Sequence, residues 1–133
     1  MLRFTRNKWV SIHRKDKETL SIHGVLDDDI YGLEIDLTIG ISSLEILAIS
    51  GKWNRWTTPE CPRAIPLLQE AVGLKIEEEG FSQTVQRIVG RKSCRHHANI
   101  LLECCHAARQ AALIAKWEDR RSTGRAGICC FGL

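Results

Sequence analysis

The sequence predicts an α+β fold of two layers, in which an antiparallel meander sheet of about four strands is followed by about three helices packed on one face. Two observations carry this prediction. Apolar residues recur at every second position in the first half of the chain, and at spacings of three and four in the second half. Strands that precede all the helices leave one face of the sheet open to water.

Four segments of the first half have the pattern of strands. The clearest segment alternates apolar and polar residues from Leu33 to Ile39. A turn at Asp27 to Asp29 precedes it. Because short polar connections join the segments, we expect consecutive strands to pair as a meander. The predicted strands are residues 4–13, 20–26, 33–39 and 44–53.

Three helices are predicted in the second half. One ends at Gly73, and another runs from Ser82 to Gly90. The last begins at Cys94 and is the longest. Its apolar stripe predicts that it lies across the sheet and closes the core. The stripe consists of Ala98, Leu101, Cys105, Ala108 and Ala112.

The length of 133 residues, with 44% hydrophobic and 26% charged content, fits one domain. We assign residues 1–117 to this α+β domain and residues 118–133 to a flexible basic tail. No apolar run is long enough for a membrane span, and the first residues lack the pattern of a signal peptide. We therefore expect a cytoplasmic protein without membrane association, whose six cysteines are reduced, metal-bound or packed.

The net charge of +3 is unevenly distributed. Residues 3–17 contain six Lys or Arg and one acid, whereas residues 27–36 contain five acids and no base. If the two segments form adjacent antiparallel strands, opposite charges pair across the outer face of the sheet. The alternative is a basic surface that binds a partner.

Trp53 and Trp56 are interleaved with bases just before Cys61. This pattern is found where aromatic side chains stack on single-stranded nucleic acid, but indole rings more often cover the edge of a sheet. We therefore do not expect a nucleic-acid partner.

Cys61 and Cys94 lie where helices are predicted to begin. Pro62 suits a first helical position, which leaves Cys61 at the N-cap, and Cys94 follows the capping residue Ser93. Unpaired N–H groups at a helix N-terminus stabilise a thiolate and lower a cysteine pKa. A thiolate binds metals and electrophiles.

Zinc and iron–sulfur sites take thiolate and imidazole ligands. We therefore predict a site for zinc or an iron–sulfur cluster formed by Cys61, Cys94 and His96, with Asp28 as an oxygen ligand. Adjacent candidates are His97, His23 and the flanking acids of the Asp27 to Asp29 turn. The alternative is that these cysteines are inert and partly buried.

The other cysteines and His106 are weaker candidates for a functional site. Cys105 lies on the apolar stripe and is predicted to be core, while Cys104 and His106 flank that stripe. Cys129 and Cys130 lie in the predicted tail, where nothing fixes their geometry.

Several short runs resemble an uncharacterised bacterial family of domains of unknown function, the DUF2889 type. The runs are Leu26 to Asp29 leading into Leu33 to Leu37, Cys61 to Ala64 continuing to Val72 to Leu74, and Cys94 to His96 opening the last helix. The resemblance covers residues 3–115. It implies the fold of that family and no activity.

The order of elements is also distantly similar to the iron–sulfur scaffold proteins of the NifU and IscU type. In those scaffolds clustered cysteines at a sheet edge hold zinc or a nascent cluster, and the likeness matches Cys61 and Cys94 to two of them. Asp27 to Asp29 occupy the position of the scaffold's first cysteine, and Ser93 stands where a ligand is expected. The likeness therefore implies a mixed Cys/His/Asp site suited to zinc.

Three functions follow from these features. The first is a small accessory module that binds a metal or carries sulfur transiently at Cys61, Cys94 and His96 and acts with a protein partner. The second is an enzyme whose nucleophile is Cys61 or Cys94, with His96 or His97 as the base. The third is a non-catalytic subunit whose sheet face or basic first strand binds another protein.

Overall fold

The computed structural model describes residues 2–122, which fold into a four-stranded antiparallel sheet with helices on one face. Neighbouring strands along the chain are neighbours in the sheet, so the predicted meander and the two-layer α+β class are confirmed. The strands are β1 (Arg6–Arg14), β2 (Thr19–Asp28), β3 (Gly32–Gly40) and β4 (Ile46–Arg55).

Strand β2 shows how the sheet separates its two faces. Its side chains alternate between buried and half-buried along all ten residues, as expected for one covered face. Leu20, Ile22 and Leu26 lie on the covered face and are nearly inaccessible to water. Asp28 shares their parity, so its carboxylate lies on the covered side, whereas His23 points to the open side.

The opposite charges of the first two strands do pair. Arg6 lies opposite Asp28 in the β1–β2 register, and its Nε donates to the Asp28 carboxylate over 2.9 Å. The pair lies on the covered side of the sheet rather than on the predicted outer face, because both residues have the parity of the buried positions. Asp27 instead contacts Arg55 of β4.

The predicted helix that ends at Gly73 is two shorter pieces. Helix α1 spans Glu60–Arg63, and a 3₁₀ helix spans Ile65–Ala71. Pro66 explains the break, because it lacks the N–H that a continuous α-helix needs and restricts the residue before it. Gly73 then has a φ of 96° and leads the chain back along β4.

The next helical segment matches the predicted residues 82–90 closely. Helix α2 spans Phe81–Val85 and continues as a π-helical turn over Gln86–Arg91. In this turn the Val89 carbonyl accepts hydrogen bonds from the N–H groups of both Ser93 and Cys94, at 2.9 and 2.8 Å. The wide turn ends the segment just before the long helix begins.

Helix α3 spans Arg95–Ser122 and lies across β2. A Cβ atom on Gly24 would overlap Cys104 Sγ and would lie 3.2 Å from Ile100 Cγ1, so the helix and strand approach as closely as a glycine permits. Ile100 and Leu101 are fully buried in the interface. The prediction that this helix closes the core is therefore confirmed.

The helix continues past Trp117, where the sequence pattern predicts its end. Residues 118–122 remain helical, and Asp119 accepts two hydrogen bonds of 2.9 Å from the Arg14 guanidinium. Glu118, Arg120 and Arg121 have good helix propensity, and together with the contact to β1 they extend the helix without an apolar stripe. Residues 123–133 of the predicted tail, with Cys129 and Cys130, lie outside the described residues. No helix within residues 2–122 has the length and apolarity needed to cross a bilayer.

Candidate thiol site at the start of helix α3

Cys94 directly precedes α3 and occupies its cap position, one residue later than the predicted cap Ser93. Helix α3 begins at Arg95, and the backbone N–H groups of His96 and His97 donate to the Cys94 thiol. Burial nevertheless raises the pKa of Cys94, and these two hydrogen bonds offset only part of the effect. The expectation that the helix N-terminus lowers the pKa of this cysteine is therefore wrong, because desolvation of the half-buried thiolate outweighs the helix end.

His96 lies beside this thiol. Its Nδ1 is 3.8 Å from Cys94 Sγ, and its ring centroid is 4.2 Å from that of Tyr31. Burial lowers the pKa of His96 and the positive charge of Arg6 lowers it further, while the negative charge of Asp28 acts in the opposite direction. The thiol and the imidazole are therefore both neutral near pH 7, and Nδ1 can accept the thiol proton in the tautomer that carries its hydrogen on Nε2.

Cys61 lies close enough to Cys94 to interact with it electrostatically, and its charge would raise the pKa of Cys94. It is not an N-cap residue, since the cap of α1 is Pro59 and Cys61 is the second helical residue. Pro59 begins the helix earlier because its fixed φ of −61° is already helical. Pro62 is still tolerated, since no N–H of the first turn needs an intrahelical acceptor. Cys61 is half-buried, and its Sγ is 3.9 Å from Thr58 Oγ1.

Asp28 lies on the same side of the sheet but is occupied by protein donors. Besides Arg6, the backbone N–H groups of Ile30 and Tyr31 donate to its carboxylate over 2.8 and 2.6 Å. Burial opposes its ionisation, yet these donors together hold the pKa of Asp28 below its usual value. The carboxylate thus holds the β2–β3 turn in place and positions the ring of Tyr31 against that of His96.

His97 supports the site from within the core. It is completely buried, and its Nδ1 is 3.4 Å from Ser93 Oγ, which in turn donates to the Ala64 carbonyl over 3.0 Å. Burial lowers the pKa of His97 to about 4, with a smaller contribution from His96. This chain of contacts ties the start of α3 to the end of α1.

Two buried polar atoms at this end of the core have no hydrogen-bond partner among the described residues. They are His97 Nε2 and Trp53 Nε1, on rings whose centroids are 5.3 Å apart. Trp53 is nearly inaccessible, so it cannot present its face to a nucleic-acid base, and only Trp56 of the predicted pair is exposed.

The other sequence candidates are not brought to Cys94. His23 lies on the open face of the sheet, where its ring nitrogens contact Glu34 and Asp36 at 3.1 and 2.9 Å. Cys104 and Cys105 are both fully buried, and burial raises the pKa of each, that of Cys105 to about 12. Cys105 thus lies in the core as predicted. Cys104 also lies in the core, whereas His106 is exposed.

The side chains of Cys61, Cys94 and His96 share one end of the molecule, and Asp28 lies near His96. Within residues 2–122, however, no three Cys, His, Asp or Glu side chains are placed to hold a metal ion together. The predicted site for zinc or an iron–sulfur cluster stays a prediction.

The sequence did not predict three contributions to the site. Tyr31 contacts the ring of His96, Ser93 donates a hydrogen bond to the Ala64 carbonyl, and the charge of Arg6 lowers the pKa of His96. Tyr31 carries a detectable signal, because an aspartate three residues before it is typical of a turn that fixes the following side chain. The tie to Ala64 and the influence of Arg6 have no local signal, since both act between distant segments.

Residues 8–110 match the profile of a family described as protein of unknown function (DUF2889). No curated protein and no solved structure matches the chain. The comparisons thus lend no support to the likeness with iron–sulfur scaffolds or to a bacterial origin.

Proposed function

The chain belongs to the DUF2889 family, and we propose that it is an accessory protein that carries sulfur transiently as a persulfide on Cys94. One observation carries the proposal: a half-buried thiol at the start of a long helix lies 3.8 Å from a neutral imidazole nitrogen, that of His96. A nucleophile within reach of a base that is held by a third group is the arrangement of activated thiols. Here the third group is the ring of Tyr31.

The reaction requires no oxidant. Cys94 sulfur attacks the outer sulfur of a donor persulfide, a new S–S bond forms, and the donor S–S bond breaks. The thiol proton passes to His96 and then to the departing donor thiolate. The backbone N–H groups that reach the cap position stabilise negative charge on the attacking sulfur and on the persulfide formed.

A protein that carries sulfur in this way needs a donor and an acceptor, so we propose that it acts with a protein partner. Free thiols stay reduced in the cytoplasm, where Cys94 would be available to accept sulfur, and we therefore expect the protein to act there. In this proposal the chain does not itself turn over a substrate.

The test is loading of the reduced protein with glutathione persulfide, followed by intact and peptide mass spectrometry. We expect the mass of one sulfur to be added at Cys94, and loading to be lost in Cys94→Ser. His96→Gln should slow loading about tenfold or more at pH 7, because it removes the proton acceptor.

Cys61→Ser is the matched control, since Cys61 is also half-buried in a first helical turn but contacts the Thr58 hydroxyl rather than an imidazole. It should load normally. Equal loading of Cys61 and Cys94, or no difference between wild type and His96→Gln, would contradict a carrier based on Cys94.

A second candidate is a zinc site with Cys61, Cys94 and His96 as ligands. The proximity of the two half-buried thiols favours it, because a bound cation would neutralise both once they lose their protons. As placed within residues 2–122, these three side chains do not form a ligand group, so zinc binding requires them to move together. Native mass spectrometry with elemental analysis tests this function. We expect one zinc per wild-type chain and none in Cys61→Ser, and metal-free wild-type protein after expression with added zinc would contradict it.

A further inference from the structure

A separate cleft lies along helix α2 and the π-helical turn, away from the thiol side chains described above. It has a volume of about 460 Å³ and is lined by five polar or basic residues. The cleft is shallow and open to solvent, and every residue that lines it is exposed. The lining residues are Ser82, Gln83, Gln86, Arg87 and Arg91.

The charge of this cleft is not compensated within residues 2–122. Arg87 and Arg91 are exposed, no carboxylate lines the cleft, and neither guanidinium has an ion pair in the part of the chain that is described. The neighbouring base Lys92, in contrast, lies 3.9 Å from Glu70. Two like charges on adjacent turns of one helical segment disfavour its helical state unless an anion lies between them.

The backbone of the cleft is itself irregular. Arg87 and Arg91 lie within the π-helical turn Gln86–Arg91, and π-helical turns often mark functional sites because they cost stability. Gly90 allows Gln86 to fold over this turn, since a Cβ atom at position 90 would lie only 3.0 Å from Gln86 Oε1. The amide of Gln86 thus forms one wall of the cleft next to the two arginines.

We propose that this cleft binds the phosphoryl group of a small phosphorylated ligand. A guanidinium presents a planar fork of donors that matches a phosphate, and two forks on adjacent turns can contact different oxygens of one anion. Ser82, Gln83 and Gln86 supply a hydroxyl and amides for further hydrogen bonds to oxygen. The proposal is independent of the sulfur chemistry at Cys94.

The test is isothermal titration calorimetry of the full chain with sodium pyrophosphate. We expect binding of one anion that weakens as salt is raised, because exposed charges are screened. Arg87→Gln and Arg91→Gln should each weaken binding about tenfold or more, since each removes a charged donor from the phosphate. Lys116→Gln is the matched control, because Lys116 is an exposed base that does not line the cleft, and it should bind normally.

Two further probes define the ligand class. Malonate should bind at least about tenfold more weakly than pyrophosphate, because a carboxylate presents fewer oxygens to two guanidinium forks. Vesicles of phosphatidylcholine with phosphatidic acid should not retain the protein. The proposal is overturned by absent pyrophosphate binding, by binding that survives both arginine substitutions in a folded protein, by equal affinity for malonate, or by retention on vesicles without pyrophosphate binding.

Discussion

Cys94 at the N-cap of α3 and Cys104 in its interior lie in opposite environments. Cys94 is half-buried at the first turn of α3, where it accepts backbone hydrogen bonds and lies beside His96. Cys104 is fully buried against Gly24, and burial strongly raises its pKa. The difference shows that the position of a cysteine along a helix decides whether its sulfur is available for chemistry or serves as a small apolar side chain.

The largest expected effect comes from placing the same acid at both positions. Cys104→Asp should destabilise the protein by about 3–5 kcal/mol, because it buries an unpaired charge. Cys94→Asp should change stability by less than about 1 kcal/mol, since aspartate is a preferred N-cap residue. Urea unfolding at pH 7 measures both free energies of unfolding. Similar losses for the two variants would show that the two environments do not differ as described.

A second effect concerns the free energy of unfolding at low pH, which depends on the buried His97. The pKa of His97 is about 4 in the folded protein and about 6.5 when unfolded, so the unfolded state binds a proton first as the pH falls. Stability from the neutral imidazole is therefore complete above pH 6.5 and should fall by about 1.4 kcal/mol per pH unit as the pH drops from 6.5 to 4. Urea midpoints measured across this range should show the slope.

The His97→Gln variant should have a shallower pH dependence over the same range, because glutamine does not titrate. His106→Gln changes an exposed histidine on the same helix and serves as the control. If His97→Gln keeps the full wild-type slope, the acid sensitivity belongs to another group.

A third, smaller effect tests the close packing of β2 against α3 at Cys104. Gly24→Ala should cost about 1–3 kcal/mol, because the added Cβ overlaps Cys104 Sγ and crowds Ile100. The double variant Gly24→Ala with Cys104→Ala should recover part of this loss, since it removes the overlapping sulfur. A double-mutant cycle in urea measures the coupling between the two positions. Additive losses would mean that β2 and α3 are not in contact at this point.

The smallest effect tests the hydrogen bond from Ser93 to Ala64, which connects the start of α3 to the end of α1. Ser93→Ala removes the hydrogen bond to the Ala64 carbonyl and should cost about 1 kcal/mol. It should also slow persulfide loading of Cys94 in our proposed function, because the first turn of α3 is then less firmly held. Thermal unfolding and the loading rate measure the two consequences, and unchanged stability would exclude a structural contribution from this hydroxyl.

The sequence patterns predicted where the strands and helices lie better than they predicted the irregular turns within the helical segments. The alternation from Leu33 to Ile39 predicted β3 because a strand repeats every two residues, and the capping context of Cys94 predicted the start of α3. The break caused by Pro66 and the π-helical turn before Cys94 were not predicted. The break has a local signal, because a proline inside a helical pattern interrupts an α-helix, and the apolar spacing alone passed over it. The π-helical turn has no such signal, because a short helical pattern has the same apolar spacing with or without it.

The sequence suggested that the candidate thiols and His96 lie close together, but it did not predict their electrostatics. Cys61, Cys94 and His96 are at one end of the molecule, as the sequence suggested, whereas the pKa of Cys94 is raised instead of lowered. A sequence pattern shows the N–H groups of a helix end, but it does not show how much water a fold removes from the sulfur. Asp28 was predicted as an oxygen ligand, and its partner Arg6 was not predicted, because that arginine belongs to another strand.

Local periodicity and capping were enough to predict the order of strands and helices, the covered face of the sheet and the helix on which most of the chemistry lies. Which polar groups meet follows only from the packing of distant segments. This packing brought Tyr31 to His96, Arg6 to Asp28 and Ser93 to Ala64, since each pair joins segments whose separation along the chain leaves no periodic trace. Burial, which sets the protonation of Cys94 and His96, is a property of the packed layers and of no single segment.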